Sequence, residues 1–508
     1  MILHVERCLE EAFRLADRLQ RRRLDRDRFP TYEESYWLAR RVLELNVDIP
    51  IAAIQGPPGS GKTYIVELLA EEYIADRLAE PGELVFYIAP TNELVFEACV
   101  RVLATIFRKV APDPRERCRW AREVPHIVRV LGYRIRSDQR RALRETCGGI
   151  GASEMVDLKI DKDVKLVFAT EFQRPYIEGE APVKLIVDES SRSPFFRSLT
   201  PVVRRIVAKK YRDFPEALVV LGDPQQAISI TGYSRDILLM NVAGRKLKEL
   251  GLEDRYKLLD FTFRLPAPSH EPISFGYYEN VLRALEGGSQ RLSGLDFSAG
   301  RILARMGRYV NTSKTELQQV VSLLEEAIGS RTPLVVLDVN AFKSGDTLDE
   351  ERARLGFYAT LALLAWREVE DPRLSVAATS IYTDMSSYIN FQLGRVGAGL
   401  DVSHTVQSMI GGERDLVVTM LGKEYAASEG ADMFATLYAR EPELLNVQLS
   451  RHRRLIVAIG CVECLERFRL RRGGAPDERI SRAGGKISEL VESGEAVYGC
   501  FKRSGCLR

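Results

Sequence analysis

Short apolar runs separated by longer amphipathic stretches are the feature of this sequence that most restricts its fold. The runs form two series, at residues 51–54, 84–88, 166–168, 185–187 and 218–221, then at residues 334–337, 376–378, 416–418 and 455–458. Runs that are apolar throughout are typical of parallel strands covered by helices on both faces. Pro266-Ala267-Pro268 separates the two series. The sequence therefore predicts an α/β protein with two tandem domains, each built on a parallel sheet.

Domain boundaries are expected where this pattern begins, breaks and ends. Residues 1–45 predict a small helical N-terminal leader, residues 46–265 a first domain and residues 266–470 a second domain. Residues 471–508 lack the strand pattern and are expected to form a partly helical C-terminal tail or small appendage. Residues 112–163 are arginine-rich and short of apolar runs, which indicates an insertion in the first domain.

Composition and charge exclude several classes of protein. No run approaches the roughly 20 apolar residues that a membrane-spanning helix needs. The first residues lack the apolar segment of a signal peptide, so a cytoplasmic protein is expected. The formal net charge of +2 excludes a polycation that binds nucleic acid by bulk charge alone. Nucleic-acid binding would therefore require a localised groove.

Eight cysteines are too few and too scattered for a disulfide scaffold in 508 residues. Cys461 and Cys464 form one CxxC pair, and Cys500 and Cys506 lie near the end of the chain. Four thiolates could meet around zinc, although the second pair lacks the usual spacing. Alternatively, these cysteines are small buried apolar residues followed by an ordinary tail, and the sequence leaves both interpretations open.

A glycine-rich loop follows the first apolar run and precedes an amphipathic stretch. Its residues match the phosphate-loop pattern GxxxxGK[ST] and are Gly56, Pro57, Pro58, Gly59, Ser60, Gly61, Lys62 and Thr63. In such a loop the backbone N–H groups converge on phosphate oxygens, and the start of the following helix adds positive potential. Lys62 is expected to reach the outer phosphates and Thr63 to supply a hydroxyl to Mg²⁺. A nucleoside triphosphate is therefore predicted to bind here.

An acidic pair, Asp188-Glu189, follows the apolar run at residues 185–187. A carboxylate at the end of a strand can hold Mg²⁺, and the adjacent carboxylate can orient an attacking water. Asp188 and Thr63 are thus the predicted metal ligands, and Glu189 is predicted to orient the attacking water. The alternative is an exposed acidic pair at a strand end.

Six sequence blocks, one of which contains the acidic pair, follow one another along the chain. They are APTN at residues 89–92, DESS at 188–191, GDPQQ at 222–226, FTFRLP at 261–266, HTVQSMIGGE at 404–413 and NVQLSRHRR at 446–454. In content and order they resemble the motifs of superfamily 1 helicases, in particular the branch that contains the nonsense-mediated-decay helicase. The resemblance covers about residues 51–460, and the ordered set is far more specific than any one block.

The resemblance implies two RecA-like P-loop domains that hydrolyse ATP at the cleft between them and move a monomer along single-stranded DNA or RNA. Gln226 would sense the γ-phosphate, Arg264 and Arg451 would be arginine fingers, Phe263 would stack on the base, and Glu413 would contribute to nucleotide binding. Contacts to the phosphates of the strand would come from Pro90, Thr91, Asn92, Thr170 and Thr405. Hydroxyl side chains in such loops also cap helices and turns, so this second interpretation stays open for the threonines.

Three departures from the family pattern leave questions open. Gln407 and Ile410 replace the aspartate and the glutamine that the family usually has in the 404–413 block. Ser35 stands where the family has the glutamine that reads adenine, so base selectivity is undetermined. Only about fifty residues precede the phosphate loop, so the family's accessory β-barrel is not expected in its usual place. The family moves 5′ to 3′, and the sequence does not choose between DNA and RNA.

Two other functions remain as alternatives. One is a helicase-fold ATPase that acts as a nucleotide-gated nucleic-acid clamp or assembly factor without unwinding, which the altered 404–413 block favours. The other is a P-loop kinase or an AAA-type remodeller. A hexameric ring with arginines supplied between subunits would indicate that last class.

Overall fold

The computed structural model of the chain divides into two compact units. It describes residues 12, 28–78, 83–111, 113, 116, 120, 123–124, 126–131, 159–177, 183–208, 217–226, 233–340, 347–399, 401–409, 412–422, 437–439, 441–468 and 477–502. Unit 1 comprises Met1–Gly56 and Gly61–Leu259, and unit 2 comprises Pro57–Ser60 and Asp260–Arg508.

The core of unit 1 is a seven-stranded sheet in which every pairing is parallel. Its strands are β1 (Ile51–Gln55), β2 (Leu84–Ala89), β3 (Val128–Leu131), β5 (Leu166–Thr170), β7 (Val183–Val187), β8 (Ala217–Gly222) and β9 (Tyr256–Leu258). They lie in the order β3-β5-β2-β7-β8-β1-β9. Two short strands, β4 (Lys159–Ile160) and β6 (Tyr176–Ile177), pair with each other outside this sheet. Since β2, β5 and β7 are buried along their whole length, the apolar runs in the sequence correspond to strands covered on both faces.

Helices of unit 1 begin and end at residues suited to those positions. They are α1 (Pro30–Leu43), α2 (Lys62–Leu69, continuing through a π-helical turn at Ala70–Ile74 into Ala75–Arg77), α3 (Asn92–Val110), α4 (Phe195–Ser198), α5 (Val203–Ala208) and α6 (Leu239–Glu249). Pro30 occupies the first turn of α1, where a missing N–H costs nothing. Thr91 caps α3 by accepting a hydrogen bond from Leu94 N at 3.4 Å.

Unit 2 contains a second parallel sheet, of six strands. They are β12 (Leu334–Asp338), β13 (Val376–Ser380), β14 (Ser403–Thr405), β15 (Arg414–Met420), β16 (His452–Gly460) and β17 (Val497–Cys500), in the order β14-β13-β15-β16-β12-β17. A separate parallel pair is formed by β10 (Phe261–Thr262) and β11 (Arg283–Ala284). The prediction of two tandem α/β domains with parallel sheets, RecA-like in architecture, is therefore confirmed.

Nine helices are described in unit 2. They are α7 (Glu271–Tyr277), α8 (Gly288–Arg291), α9 (Ala299–Met306), α10 (Thr315–Ser330), α11 (Glu350–Val369), α12 (Thr383–Arg395), α13 (Glu443–Leu449), α14 (Val462–Glu466) and α15 (Glu478–Glu492). The most buried is α11, which begins after Asp349, whose carboxylate accepts from the N–H groups of Glu351 and Arg352. Its Trp366 is fully buried, lies 5.3 Å from the ring of Phe297 and donates from Nε1 to Asp296 O at 2.7 Å.

Two segments differ from the sequence prediction. The expected C-terminal tail is helical over α15, but it also contributes β17, which pairs with β12 as an edge strand of the second sheet. The run Val497-Tyr498-Gly499-Cys500 is too short and too mixed in character to be recognised as a strand. Likewise, β3 lies within the predicted insertion, where Arg129 interrupts the apolar pattern. The rest of that insertion falls largely outside the described residues, as does most of the leader before α1.

None of the described helices combines the length and the apolar character that a membrane crossing requires.

Replacing Trp366 by alanine should destabilise unit 2 strongly. The change removes a fully buried ring and leaves a cavity and an unpaired Asp296 carbonyl, which together cost about 3–5 kcal/mol. Urea unfolding followed by circular dichroism measures the loss. Trp37→Ala, at an exposed position of α1, is the control and should cost less than about 1 kcal/mol. Equal losses in the two variants would contradict this description of the core.

Candidate nucleotide and nucleic-acid sites

The carboxyl edge of the first sheet brings the sequence motifs of unit 1 together. In a parallel sheet the ends of all strands meet at one edge, which is where ligands bind in α/β proteins. The adjacent strands β7, β8 and β1 end at the DESS block, the GDPQQ block and the phosphate loop, respectively. On the other side of β7, strands β2 and β5 end at Ala89 and Thr170, which are paired in register. The nucleotide and strand residues predicted in unit 1 therefore occupy neighbouring parts of one edge.

The phosphate loop has the backbone that its glycines require. Gly59 and Gly61 have φ angles of 69° and 80°, a region that favours glycine. A Cβ at Gly59 would also lie 2.3 Å from Cβ of Arg264. The loop residues Pro58 and Gly59 accept hydrogen bonds at 2.9 Å from Thr262 Oγ1 and Phe263 N. Phe263, predicted to contact the nucleotide base, is thus held against the loop through its backbone.

Lys62 is the first residue of α2, and Thr63 follows it at the start of the same helix. The ammonium group of Lys62 donates to Gly56 O at 2.8 Å and lies 3.9 Å from Oε1 of Glu189. Gly56 N in turn donates to Gly222 O at 2.9 Å, which ties the start of the loop to the end of β8. The lysine therefore lies between the loop backbone and the acidic pair.

Asp188 is buried at the end of β7, and hydrogen bonds hold its carboxylate in place. Tyr87 donates from its hydroxyl to Oδ2 at 2.5 Å, and Glu189 N donates to Oδ1 at 2.8 Å. Burial, together with the negative charge of Glu189, raises the pKa of Asp188 above its usual value. Glu189 itself has a φ of 48°, which is uncommon for a residue with a side chain. Such backbone conformations are frequent at functional sites.

Gln226 and Asp223 form a connected group beside this pair. Gln226 Nε2 donates to Oδ2 of Asp223 at 2.7 Å, and Gln55 Nε2 donates to Oδ1 at 3.1 Å. Tyr256 completes the group by donating from its hydroxyl to Gln55 Oε1 at 2.8 Å. A chain of hydrogen bonds across β9, β1 and β8 thus orients the side chain that is predicted to sense the γ-phosphate.

Glycine is required at position 222 by the close approach of the DESS block. A Cβ at Gly222 would lie 2.6 Å from Ser190 Oγ and 2.7 Å from Ser191 Oγ. Ser190 Oγ also donates to Leu221 O at 2.7 Å. The DESS and GDPQQ blocks are therefore packed directly against each other, which explains why small residues occur in both.

The threonines predicted to contact a nucleic-acid strand have local structural roles. Thr91 follows Pro90 and caps α3, which begins at Asn92. Thr170 is buried at the end of β5. In unit 2, Thr405 ends β14 and accepts from Ser408 N at 3.4 Å in a local turn. The hydroxyls of Thr91 and Thr405 thus have the capping roles that the sequence left open, while their backbone groups remain at the strand ends.

In unit 2, Arg264 follows β10 and is held by the two blocks near the start of β15 and β16. Its Nε lies 2.6 Å from Oε2 of Glu413, and its Nη1 donates to Ser450 O at 3.2 Å. Arg453 lies 3.5 Å from the second oxygen of Glu413. Glu413, predicted to take part in nucleotide binding, is therefore engaged by two arginines.

Arg451 lies in the same group as Arg264 but is only 2% exposed. Its Nε donates to Val447 O at 3.0 Å, and its Nη1 and Nη2 donate to Gly412 O and Ser450 Oγ, each at 3.4 Å. The structure thus brings the two predicted arginine fingers and Glu413 together. Of the 404–413 block, Ile410 and Gly411 lie outside the described residues.

Cys461 and Cys464 form a disulfide at the start of α14. Cys461 Sγ accepts from Cys464 N at 3.3 Å and caps the helix. Cys506, the fourth cysteine of the zinc alternative, lies outside the described residues. Within the part of the chain that the structure describes, no group of three or more His, Cys, Asp or Glu side chains is arranged to hold a metal ion.

Sequence reasoning did not identify Tyr87, Gln55 and Tyr256 as members of the site. A weak signal existed for each, since a hydroxyl or an amide in an otherwise apolar strand needs a partner when it is buried. That partner is decided by which strands are neighbours, and the sequence did not establish the strand order.

No protein-family model and no curated protein matches the chain. Among solved structures it is similar to the helicase of PRRSV, at 12% identity and a TM-score of 0.34, covering 85% of this chain and 56% of that one. It is also similar to an arterivirus nonstructural protein 10 helicase in complex with DNA, at 10% identity and a TM-score of 0.34, covering 84% of this chain and 63% of that one. A third similar structure is the DUF1998 helicase MrfA bound to DNA, at 13% identity and a TM-score of 0.33, covering 84% of this chain and 46% of that one. The chain thus spans about half to three-fifths of the length of these helicases.

Glu171, directly after β5, is a buried carboxyl that the sequence did not single out. It is 4% exposed, and its nearest charged partner is Arg197, at 3.8 Å from Oε1. Burial raises the pKa of Glu171 to about 7, although Arg197 and Arg192 oppose this shift.

Stability should depend on pH through Glu171. Because its pKa is about 4.5 in the unfolded chain and about 7 in the folded one, the folded state holds a proton that the unfolded state loses between these values. The free energy of unfolding contributed by this group is therefore highest below about pH 4.5 and falls as the pH rises to about 7. Relative to the wild type, Glu171→Gln should gain roughly 2 kcal/mol between pH 5 and pH 8, measured by urea unfolding. Parallel pH profiles for the two chains would contradict the raised pKa.

Proposed function

We propose that the chain is an ATP-dependent superfamily 1 helicase or translocase, of the branch that the sequence resembles, which moves as a cytoplasmic monomer along single-stranded DNA or RNA. The observation that carries the proposal is the position of Lys62 in unit 1. Its ammonium group lies between the phosphate-loop carbonyl of Gly56 and the acidic pair at the end of β7. This arrangement is suited to phosphoryl transfer, where positioning and charge neutralisation matter most.

The donors at this edge fit a nucleoside triphosphate with Mg²⁺. Gly59 and Gly61 have positive φ angles, a backbone conformation that allows N–H groups of a phosphate loop to converge on phosphate oxygens. Hard oxygen donors of the kind Mg²⁺ prefers are present in Thr63 and Asp188. When bound, Mg²⁺ neutralises charge on the phosphates.

In this proposal each protein group has one task. Lys62 compensates the charge of the outer phosphates, and Glu189 orients the attacking water and accepts its proton. Gln226, held by Asp223, contacts the γ-phosphate end of the nucleotide. Phe263 is available to stack on the base, because its backbone is hydrogen-bonded to Gly59. The choice of ATP over other nucleoside triphosphates in this proposal rests only on the family resemblance.

Arg264 and Arg451 would act as arginine fingers in this mechanism. In the structure Arg264 is paired with Glu413, and the guanidinium of Arg451 donates to main-chain carbonyls and to Ser450. Both must therefore leave these partners to reach a phosphate. If nucleotide binding causes the two arginines to exchange these partners for a phosphate, the resulting conformational change would drive stepping along the strand.

Backbone groups at the ends of β2, β5 and β14 would contact the phosphates of the strand. The residues concerned are Pro90, Thr91, Asn92, Thr170 and Thr405. Contacts of this kind position a strand without reading its sequence, so the proposal predicts little sequence preference. The second candidate function is a nucleotide-gated clamp that binds nucleic acid without moving along it. It is retained because Gln407 replaces the aspartate that the family usually has in the 404–413 block.

Steady-state ATPase assays with single- and double-stranded DNA and RNA test the proposal. Single strands should stimulate turnover, and Lys62→Ala and Glu189→Gln should each lower kcat by roughly 100- to 1,000-fold. Lys248→Ala, an exposed lysine of α6, is the control and should match the wild type. If none of the polynucleotides changes ATP turnover, the motor proposal is contradicted. If single strands stimulate turnover but the protein does not move directionally on a labelled strand, the clamp is favoured.

Arg264→Ala should lower kcat much more than it changes KM for ATP. An arginine finger stabilises charge that develops in the transition state and is worth on the order of 10³-fold or more in kcat. Arg308→Ala, an exposed arginine of unit 2, is the matched control. A normal kcat in Arg264→Ala would remove this residue from the catalytic group and leave the Glu413 ion pair as its role.

A further inference from the structure

Unit 1 exposes a cluster of aromatic rings around one arginine that none of the roles above uses. We call it the stacking surface and define it as Phe172, Phe195, Phe196, Arg197 and Tyr233. Phe172 is 58% exposed and Phe196 is 44% exposed. Single exposed apolar residues are ordinary on protein surfaces, but contiguous exposed aromatic groups mark sites of interaction.

The side chains of the stacking surface form a continuous series of contacts. The Arg197 guanidinium lies 5.3 Å from the ring centroid of Phe172 and 5.1 Å from that of Tyr233. The Phe196 ring is 5.7 Å from Tyr233 and 5.7 Å from Phe195, edge to face in both cases. The surface therefore presents flat apolar faces with a planar cation among them.

Two contacts orient the central arginine. Its Nη1 lies 3.8 Å from the buried carboxyl of Glu171, and its Nη2 is within 3.4 Å of the Tyr233 hydroxyl. Because Glu171 is buried, its charge is not displayed to a ligand. Among the charged residues that flank the cluster in the sequence, Arg174 and Asp236 are exposed.

The stacking surface lies close in the chain to residues expected to contact a strand. Phe172 is two residues beyond Thr170, the last residue of β5. On the neighbouring strand, Ala89 pairs with Thr170 and is followed by Pro90 and Thr91. Phe172 therefore emerges at the same sheet edge as the loops to which the proposed function assigns phosphate contacts.

We infer that the stacking surface binds the unpaired bases of a single-stranded nucleic acid, an inference that rests on the proposed function. Aromatic rings and guanidinium planes both stack on bases, and every base has a π-face, so such binding tolerates any sequence. A duplex keeps its bases stacked on one another and does not offer these faces. The position of Phe172 beside the loops at the ends of β2 and β5, to which the proposed function assigns phosphate contacts, favours nucleic acid over a partner protein as the occupant.

Base stacking adds a binding component that phosphate contacts do not supply. Phosphate contacts weaken steeply with salt because they release counterions. Stacking is worth about 1–3 kcal/mol per base in alanine substitutions, or roughly 5- to 150-fold in affinity, and involves no counterion release. The surface thus makes the chain sensitive to the presence of bases as well as to backbone charge.

A comparison of two strands with the same backbone tests the inference. The probes are a fluorescent 20-nucleotide oligo(dT) and an abasic strand of equal length, titrated by anisotropy with the full chain. The wild type should bind oligo(dT) more tightly than the abasic strand. Phe172→Ala and Phe196→Ala should each weaken oligo(dT) binding by roughly 5- to 150-fold and leave abasic binding unchanged. Phe172→Tyr, which keeps a ring, should retain the affinity of the wild type.

Phe391→Ala is the matched control. Phe391 is 62% exposed in unit 2 and also has an arginine, Arg395, near its ring, at 5.7 Å. Its removal should not alter binding of either strand. If Phe172→Ala lowers the melting temperature, Phe172→Leu, which keeps the apolar volume without a ring, replaces it with the same expected result.

Two results would overturn the inference: equal affinity of the wild type for both strands, or oligo(dT) binding that survives loss of both rings. The second result would assign the cluster to a partner protein. Failure of the motor is distinguishable, because discrimination between the strands would then persist while no strand stimulates ATPase turnover. Conversely, if oligo(dT) and the abasic strand bind equally well and stimulate ATPase turnover equally, the motor proposal stands and base binding by the stacking surface is rejected.

Discussion

The site of unit 1 depends on one constraint, the parallel direction of all seven strands in the first sheet. Parallel strands end at one edge, so segments separated by more than a hundred residues in sequence meet there. The phosphate loop, the acidic pair and the GDPQQ block come together because β1, β8 and β7 are neighbours. The same constraint places the ends of β2 and β5 beside them. The residues of unit 1 that are proposed to contact the nucleotide and the strand thus lie along one edge of one sheet.

Buried charge in each unit is compensated by specific partners. In unit 1, the Asp188 carboxylate accepts hydrogen bonds from Tyr87 and from the backbone, and Lys62 lies near Glu189. In unit 2, Arg264 and Glu413 pair, while Arg451 donates to backbone carbonyls. A buried charge that loses its partner is costly, so ligands that displace these partners must supply equivalent charge.

Particular residues show how far sequence reasoning reached. The phosphate loop, Asp188 and Gln226 were recognisable because their functions require fixed residue types at fixed spacing, and the structure brings them to one sheet edge. Tyr87 and Tyr256 were not recognisable, since their partners lie 101 and 201 residues away in the sequence. The edge strands β3, β9, β14 and β17 were missed because they are short and carry mixed residues. The stacking surface was also missed, because exposure of Phe172 and Phe196 is not visible in a sequence.

By itself, the sequence determined the fold class, the presence of two large parallel sheets and the positions of the motifs. It did so because apolar runs and glycine-rich loops reflect local backbone and burial requirements. Tertiary structure alone decided which motifs are neighbours, which carboxyls are buried and which rings are exposed. Those properties depend on the order of strands in the sheet and on packing between distant segments. Local patterns of residue type do not encode them.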